Sequence, residues 1–97
     1  MKLLEVKPSS RAEKKWAAVF DNDGRKKTIH FGSSGYHDFT TFSKEERDSH
    51  KERYINRHSK RENWDNPQTP GSLSRWILWN KPTMKASIAD YKKKFDL

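Results

Sequence analysis

The side chains that could take part in metal or acid–base chemistry are four histidines and one aspartate: His30, His37, His50, His58 and Asp38. A metal-dependent nuclease of the hairpin-and-helix type needs a general-base histidine at a strand end and metal ligands on the following helix. In that arrangement His30 or His37 would be the base and His58 a ligand. However, the histidines are scattered and the chain has no cysteine. We therefore expect no catalytic residue, no bound metal and no cofactor.

Basic side chains offer a second kind of chemistry, the binding of anions. The formal net charge is +8 and the isoelectric point is about 9.8, which favours a polyanionic partner, either nucleic acid or a membrane surface. On the helix predicted after residue 43, the side chains that recur at helical spacing are His50, Arg53, Arg57 and Arg61, with Lys60 beside them. This stripe is either an ordinary solvated face or an anion-binding surface.

Arginine and lysine interleaved with aromatic residues form the composition that grips phosphates and sometimes stacks on bases. The candidate nucleic-acid-binding residues are Arg25, Lys26, Lys27, Arg53, Arg57, Lys60, Arg61, Lys92 and Lys93. No predicted helix carries the cluster of Asn, Gln and Arg that reads base edges. We therefore expect DNA binding through the backbone, with little sequence preference. The cations are spread along the chain, so only the fold can gather them into one face.

The predicted fold class is α+β, with an N-terminal β-hairpin packed against two or three α-helices in a single small domain. Residues 1–12 are predicted to be a flexible arm, and residues 13–97 the domain. The hairpin is indicated by alternating apolar residues on both sides of Asn22-Asp23-Gly24, a sequence in which glycine accepts a positive φ at no steric cost. Its side chains Ile29 and Phe31 should point to the core.

The segment after the hairpin, Gly32 to Thr40, is rich in turn-forming residues. Its two glycines invite comparison with a phosphate-binding loop, but no Gly-Lys-Ser/Thr follows, so we predict a connecting turn. The next helix should begin at Ser43, which forms a capping box with Glu46, and run to about His58.

The most apolar stretch, Pro70 to Asn80, should form the central helix, which we call the tryptophan helix. Its apolar residues are Leu73, Trp76, Ile77, Leu78 and Trp79. A following helix carries a second apolar stripe of Met84, Ile88, Tyr91 and Phe95. Such a large apolar surface is rarely exposed on a soluble monomer. We therefore expect a homodimer whose interface contains Trp76, Trp79, Ile88 and Tyr91. The alternative is that the hairpin and the last helix cover the tryptophan helix within one chain.

Three blocks of the sequence, residues 28–40, 53–58 and 71–80, together resemble a family of small basic proteins from nucleocytoplasmic large DNA viruses, including the marseillevirus and mimivirus groups. The resemblance covers residues 14–80. It implies a virion protein associated with the genome and supplies no catalytic residues. The block Tyr36-His37-Asp38-Phe39-Thr40 resembles the family's Tyr-x-Asp-Tyr/Phe-Thr pattern, which implies a structural role for Asp38 and Thr40 as hydrogen-bonding residues of a turn.

These observations and the resemblance together give a hypothesis. The chain is a non-sequence-specific DNA-binding protein of a large DNA virus that helps to package or condense the genome, and it acts in the virion interior and in the host cytoplasm, viral factory or nucleus. We expect no membrane partner, because no signal peptide and no long apolar run is present. Two alternatives remain open: a structural virion protein that acts through protein–protein contacts, and a metal-dependent, HNH-like nuclease.

Overall fold

Three antiparallel strands and three helical regions make up the fold, which a computed structural model describes for residues 1–97. The α+β class and the packing of a hairpin against helices are confirmed. The strands are β1 (Lys2–Pro8), β2 (Lys14–Asn22) and β3 (Arg25–Ser33), in the order β1-β2-β3. The helices are α1 (Arg47–His58), α2 (Pro70–Leu73), which continues as a π-helical segment (Ser74–Leu78), and α3 (Met84–Lys94). The predicted tryptophan helix is therefore α2 plus the π-helical segment.

The hairpin of β2 and β3 forms where the sequence predicts it. Asp23 and Gly24 both have positive φ angles, of 55° and 91°, which is the conformation of the two-residue turns that suit the twist of antiparallel strands. The Gly24 amide donates to the Asp21 carboxylate at 2.8 Å. Ile29 and Phe31 are buried, as predicted.

The N-terminal segment is part of the sheet, so the prediction of a flexible arm over residues 1–12 is corrected for Lys2–Pro8. This segment is β1, which pairs with β2 so that Leu3 lies opposite Phe20 and Val6 opposite Ala18. The register shifts between Leu3 and Glu5. This bulge breaks the alternation of apolar and polar residues that identifies a strand in a sequence.

The tryptophan helix lies at the centre of the core. The Thr69 hydroxyl accepts from the Ser72 amide at 3.1 Å and caps α2, and Pro70 occupies the first helical position. The core combines side chains from the sheet, the tryptophan helix and α3: Leu3, Ala18, Phe20, Ile29, Phe31, Leu73, Ile77, Leu78 and Tyr91. The sheet and α3 thus cover the tryptophan helix within one chain, which is the alternative to dimerisation that the sequence allowed.

The predicted dimer residues contribute to this intramolecular core. Tyr91 is fully buried and its hydroxyl donates to the Pro67 carbonyl oxygen at 2.6 Å, so its assignment to a dimer interface is corrected. Trp76, Trp79 and Ile88 are half-buried against the same core. The large hydrophobic side chains that are exposed are Met1, Leu4 and Tyr36. The homodimer stays a prediction, but the apolar surface that motivated it is covered within the chain.

Helix α1 begins four residues later than predicted. The carbonyl oxygen of Ser43 accepts from the Glu46 and Arg47 amides, which makes a turn before the helix, and the first cap residue is Glu46, without a side-chain cap bond. The predicted capping box between Ser43 and Glu46 is therefore wrong. The helix ends at His58, as predicted. No helix of the chain has both the length and the apolar character needed to cross a membrane.

Candidate nucleic-acid interface

An open cleft with a volume of about 910 Å³ is lined by four parts of the fold. They are the end of the β2–β3 hairpin opposite its turn, the loop after β3, helix α1 and the tryptophan helix. We call it the basic cleft. Its basic and histidine side chains are Lys14, Lys15, His37, His50, Arg53, Arg57 and His58. Its acidic side chains are Asp38 and Glu62. Cations therefore outnumber acids in the cleft even with every histidine neutral.

The sheet contributes Lys14 and Lys15 to one wall of the basic cleft. The Lys15 ammonium lies 2.7 Å from the Asp38 carboxylate, and both side chains are largely buried. Lys15 is thus neutralised, whereas Lys14 has no carboxylate within ion-pairing distance. At this end of the sheet the backbone of Gly32, with φ +80°, lies so close to the tryptophan helix that an added Cβ would be 2.8 Å from Leu78 Cδ1.

The loop between β3 and α1 is held by Asp38. Its carboxylate accepts from the Thr40 amide at 2.8 Å and from the Thr40 hydroxyl, and its own amide donates to the Thr41 hydroxyl at 2.8 Å. The predicted role of Asp38 and Thr40 as turn hydrogen-bonding residues is confirmed. The Phe39 amide donates to the Leu78 carbonyl at 2.9 Å. The loop is therefore anchored on the tryptophan helix immediately after Tyr36 and His37, which are exposed.

Helix α1 forms the opposite wall. His50, Arg53 and Arg57 lie at positions i, i+3 and i+7 and all line the cleft, so this part of the predicted stripe shares one face. Arg53 and Arg57 are exposed and make no ion pair. Their guanidinium groups are available to a ligand.

Aromatic contacts fix the position of α1. The Tyr54 ring stacks on Trp79, with centroids 4.7 Å apart and planes 8° apart, and the Phe42 ring stacks on His50 at 3.9 Å. Burial raises the pKa of Tyr54 to about 12, with a further contribution from the nearby Glu62 carboxylate. The phenol is therefore neutral at physiological pH. Tyr54 and Trp79 are both cleft-lining residues.

The predicted cations do not form one surface. Arg53 and Arg57 line the basic cleft, whereas Lys60 and Arg61 are exposed beyond the end of α1 and do not. Three more, Arg25, Lys26 and Lys27, begin β3 at the hairpin turn, roughly 25 Å along the strand from Ser33 at the cleft end. Lys92 and Lys93 are exposed on the last turn of α3.

Sequence reasoning missed Lys14, Lys15 and Tyr36 as cleft residues. The available signal for the two lysines was their position at the open end of the hairpin, next to the loop. Tyr36 could have been recognised as an aromatic residue within a turn-forming segment, because such segments lie on the surface and do not contribute to a core.

The histidines proposed for a nuclease do not all lie in one place. His37 and His58 line the basic cleft, but His30 lies 2.6 Å from the Ser9 hydroxyl and is not among the cleft-lining residues. No group of three or more His, Cys, Asp or Glu side chains is arranged to hold a metal ion. The HNH-like nuclease stays an untested alternative.

Comparison with known families gives one relevant finding. The model of a family described as "Family of unknown function (DUF5754)" matches residues 4–58. This range includes β2, β3, the loop between β3 and α1, and α1 itself, and it ends before the tryptophan helix. No curated protein and no solved structure matches the chain. The resemblance to proteins of large DNA viruses stays a prediction.

Proposed function

Because the chain belongs to DUF5754, a family of unknown function, we propose its function from its own geometry: it binds DNA through the phosphate backbone, with little sequence preference. The observation that carries this proposal is the basic cleft. Arg53 and Arg57 of α1 and Lys14 of β2 line the same cleft, and all three are free of ion pairs. The formal charge of +8 for the whole chain attracts a polyanion over a longer range.

The chemistry of these groups suits phosphates. A guanidinium group donates two parallel hydrogen bonds to an anionic oxygen pair, and an ammonium group acts as a point charge. Reading a base requires side chains aimed at its edges: arginine or lysine for guanine, amides for adenine and carboxylates for cytosine. No Asn or Gln lines the cleft, and the Asp38 carboxylate is occupied by Lys15 and Thr40. If Arg53 and Arg57 are engaged on phosphates, no amide of the cleft is left to read a base edge, and we therefore expect little sequence preference.

A role in condensing a genome is a further part of the proposal and rests mainly on the resemblance to viral proteins. Condensation requires one protein to contact more than one segment of DNA. Cations at the hairpin turn (Arg25, Lys26 and Lys27) lie far along the sheet from the basic cleft, and this separation would suit a second contact. The homodimer, which would also supply two contacts, stays a separate prediction.

The test is a titration of fluorescently labelled, random-sequence DNA with the protein at several salt concentrations. We expect the logarithm of affinity to fall by about 0.9 per logarithmic unit of salt for each phosphate neutralised. The double variant Arg53→Gln/Arg57→Gln should reduce that slope by about 2. A matched control, Arg11→Gln/Lys85→Gln, removes the same charge from exposed residues outside the cleft and away from the hairpin turn.

In the control variant, the slope of log affinity against log salt concentration should stay within about half a unit of the wild-type slope. Absence of binding at low salt would overturn the proposal and favour the protein–protein alternative. Binding that depends strongly on DNA sequence would overturn it as well, and so would equal losses in the two double variants.

A further inference from the structure

The side chain of Tyr36 is exposed to a degree that packing does not explain. Its relative exposure is 73%, the highest among the large hydrophobic residues of the chain. Its hydroxyl makes no hydrogen bond and its ring contacts no other aromatic ring. The loop that carries it is nevertheless anchored by the Asp38 carboxylate and the Phe39 amide. A well-held loop thus presents a bare aromatic ring to solvent.

Two hollows meet at this ring. The basic cleft lies on one side, and on the other is a hollow of about 620 Å³ that is lined by Pro8, Trp16, Ser34, Thr40 and Thr41. The residues that line both are Lys14, Lys15, Gly35, Tyr36, His37 and Asp38. Tyr36 therefore stands between two concave surfaces, and Lys14 borders both of them.

We infer that the basic cleft takes an unpaired strand of nucleic acid, with a base stacked on Tyr36 and the backbone between Lys14 and the arginines of α1. This inference rests on the proposed function and names its substrate class. A base face is presented by an unpaired strand, whereas a duplex keeps its bases stacked inside. A nucleotide flipped out of a duplex would reach Tyr36 only at a cost of a few kcal/mol.

The arrangement matches the way proteins bind single strands without reading sequence. Such proteins combine a positively charged groove that follows the backbone with aromatic rings that stack on successive bases. Here Lys14, Arg53 and Arg57 supply the charge and Tyr36 the ring. The other aromatic rings of the cleft already stack, Tyr54 on Trp79 and Phe42 on His50, which leaves Tyr36 free to receive a base.

The experiment compares the affinities of an oligothymidine of about 12 nucleotides, which is within the usual site sizes, an oligouridine of the same length, an abasic strand of the same length and a duplex of equal charge. We expect the oligothymidine to bind about tenfold more tightly than the duplex, because stacking of one base is worth about 1–3 kcal/mol. The abasic strand should bind like the duplex. Equal binding of the oligouridine would support stacking as the shared chemistry of DNA and RNA, and a preference for one of the two would support it with an added contact to the sugar or to the thymine methyl group.

Two substitutions at Tyr36 make the test specific. Tyr36→Ala should weaken the oligothymidine about tenfold and leave the abasic strand unchanged, and Tyr36→Phe should retain wild-type affinity. Leu4→Ala is the matched control, since Leu4 is also an exposed hydrophobic residue and lies outside both hollows.

The failures of the two proposals can be told apart. If neither strand nor duplex binds at low salt, the proposed function fails and this inference fails with it. If the duplex binds as tightly as the oligothymidine, or if Tyr36→Ala weakens the abasic strand as much as the oligothymidine, only the single-strand inference is overturned.

Discussion

Tyr54 of α1 and Trp79 at the end of the tryptophan helix lie ring over ring, 4.7 Å apart and nearly parallel. Further contacts hold the first half of α1: the Arg47 guanidinium and the Lys51 ammonium lie 5.4 and 4.7 Å from the centre of the buried Phe39 ring. The Lys51 ammonium donates to the Asn80 carbonyl at 2.8 Å, and Phe42 stacks on His50. Since Tyr54 immediately follows Arg53 on α1 and lies one turn before Arg57, this pair of rings helps to position both arginines in the basic cleft.

We predict that Tyr54→Ala lowers the free energy of unfolding by about 3 kcal/mol, because it deletes a buried ring and leaves a cavity against Trp79. Tyr54→Phe keeps the ring and should cost less than about 1 kcal/mol. Urea unfolding followed by tryptophan fluorescence measures both. Tyr54→Ala should also lower helix content by circular dichroism, as α1 loses its contact with the core. Similar losses in the two variants would argue that the hydroxyl, not the stacked ring, holds α1.

A second prediction concerns the contact between Gly32 and Leu78. Gly32→Ala should destabilise the protein by about 3 kcal/mol. Part of this comes from an L residue at a positive φ, and part from a Cβ 2.8 Å from Leu78 Cδ1. Gly24→Ala is the matched control, because Gly24 also has a positive φ but has open space around it. It should cost about 1–2 kcal/mol.

The difference between the two glycine variants in urea unfolding isolates the steric contact. Equal losses of unfolding free energy in Gly24→Ala and Gly32→Ala would show that Leu78 does not pack tightly against Gly32. The contact would then not determine where the end of β3 lies at the cleft.

Local features of the fold could be predicted from the sequence, and features that depend on packing could not. The hairpin was predictable because the turn Asn22-Asp23-Gly24 and the alternation beside it are encoded within about 20 residues. Strand β1 was missed because its bulge after Leu3 breaks that alternation. The dimer prediction was a separate matter: whether the hairpin and α3 cover the tryptophan helix is decided by contacts between distant segments, which the sequence pattern does not show.

The basic cleft was predictable on one wall only. Helical spacing is enough to place His50, Arg53 and Arg57 on one face. The opposite wall depends on contacts between distant parts of the chain. Lys14 enters the cleft because the open end of the hairpin meets the tryptophan helix at Gly32 and Leu78. No pattern within either segment indicates that meeting.

A third prediction separates Lys15, which pairs with a buried carboxylate, from Lys14, which we propose binds DNA. Lys15→Met should destabilise the protein by about 3 kcal/mol, because the buried Asp38 carboxylate loses its cation. Lys14→Met should change stability by less than about 0.5 kcal/mol. It should also reduce the slope of log affinity against log salt concentration by about 1, which corresponds to one phosphate contact. Chemical denaturation and the salt titration are the two measurements.

A compensating variant checks the cause. Lys15→Met/Asp38→Asn removes both charges, so it should recover part of the stability that Lys15→Met loses. No recovery would show that the hydrogen bonds from Thr40 to the Asp38 carboxylate, rather than the ion pair, are what supports the loop.

The last prediction is a loss of stability at alkaline pH that originates in buried tyrosines. Burial raises the pKa of Tyr54 to about 12 and raises the pKa of Tyr91 as well, compared with about 10 in an unfolded chain. A phenol with a raised pKa in the folded state contributes stability that is fully present below about pH 10 and is lost as the pH rises through the folded-state value. Between those two pKa values, each such tyrosine lowers the free energy of unfolding by about 1.4 kcal/mol per pH unit.

Urea unfolding between about pH 9 and pH 11 should therefore show a falling free energy of unfolding. Tyr54→Phe should make the fall less steep by about 1.4 kcal/mol per pH unit above pH 10, whereas Tyr36→Phe, at an exposed position, should leave it unchanged. If Tyr54→Phe follows the wild-type curve, the Tyr54 phenol ionises as easily in the folded protein as in the unfolded chain, and its stacking on Trp79 does not exclude water.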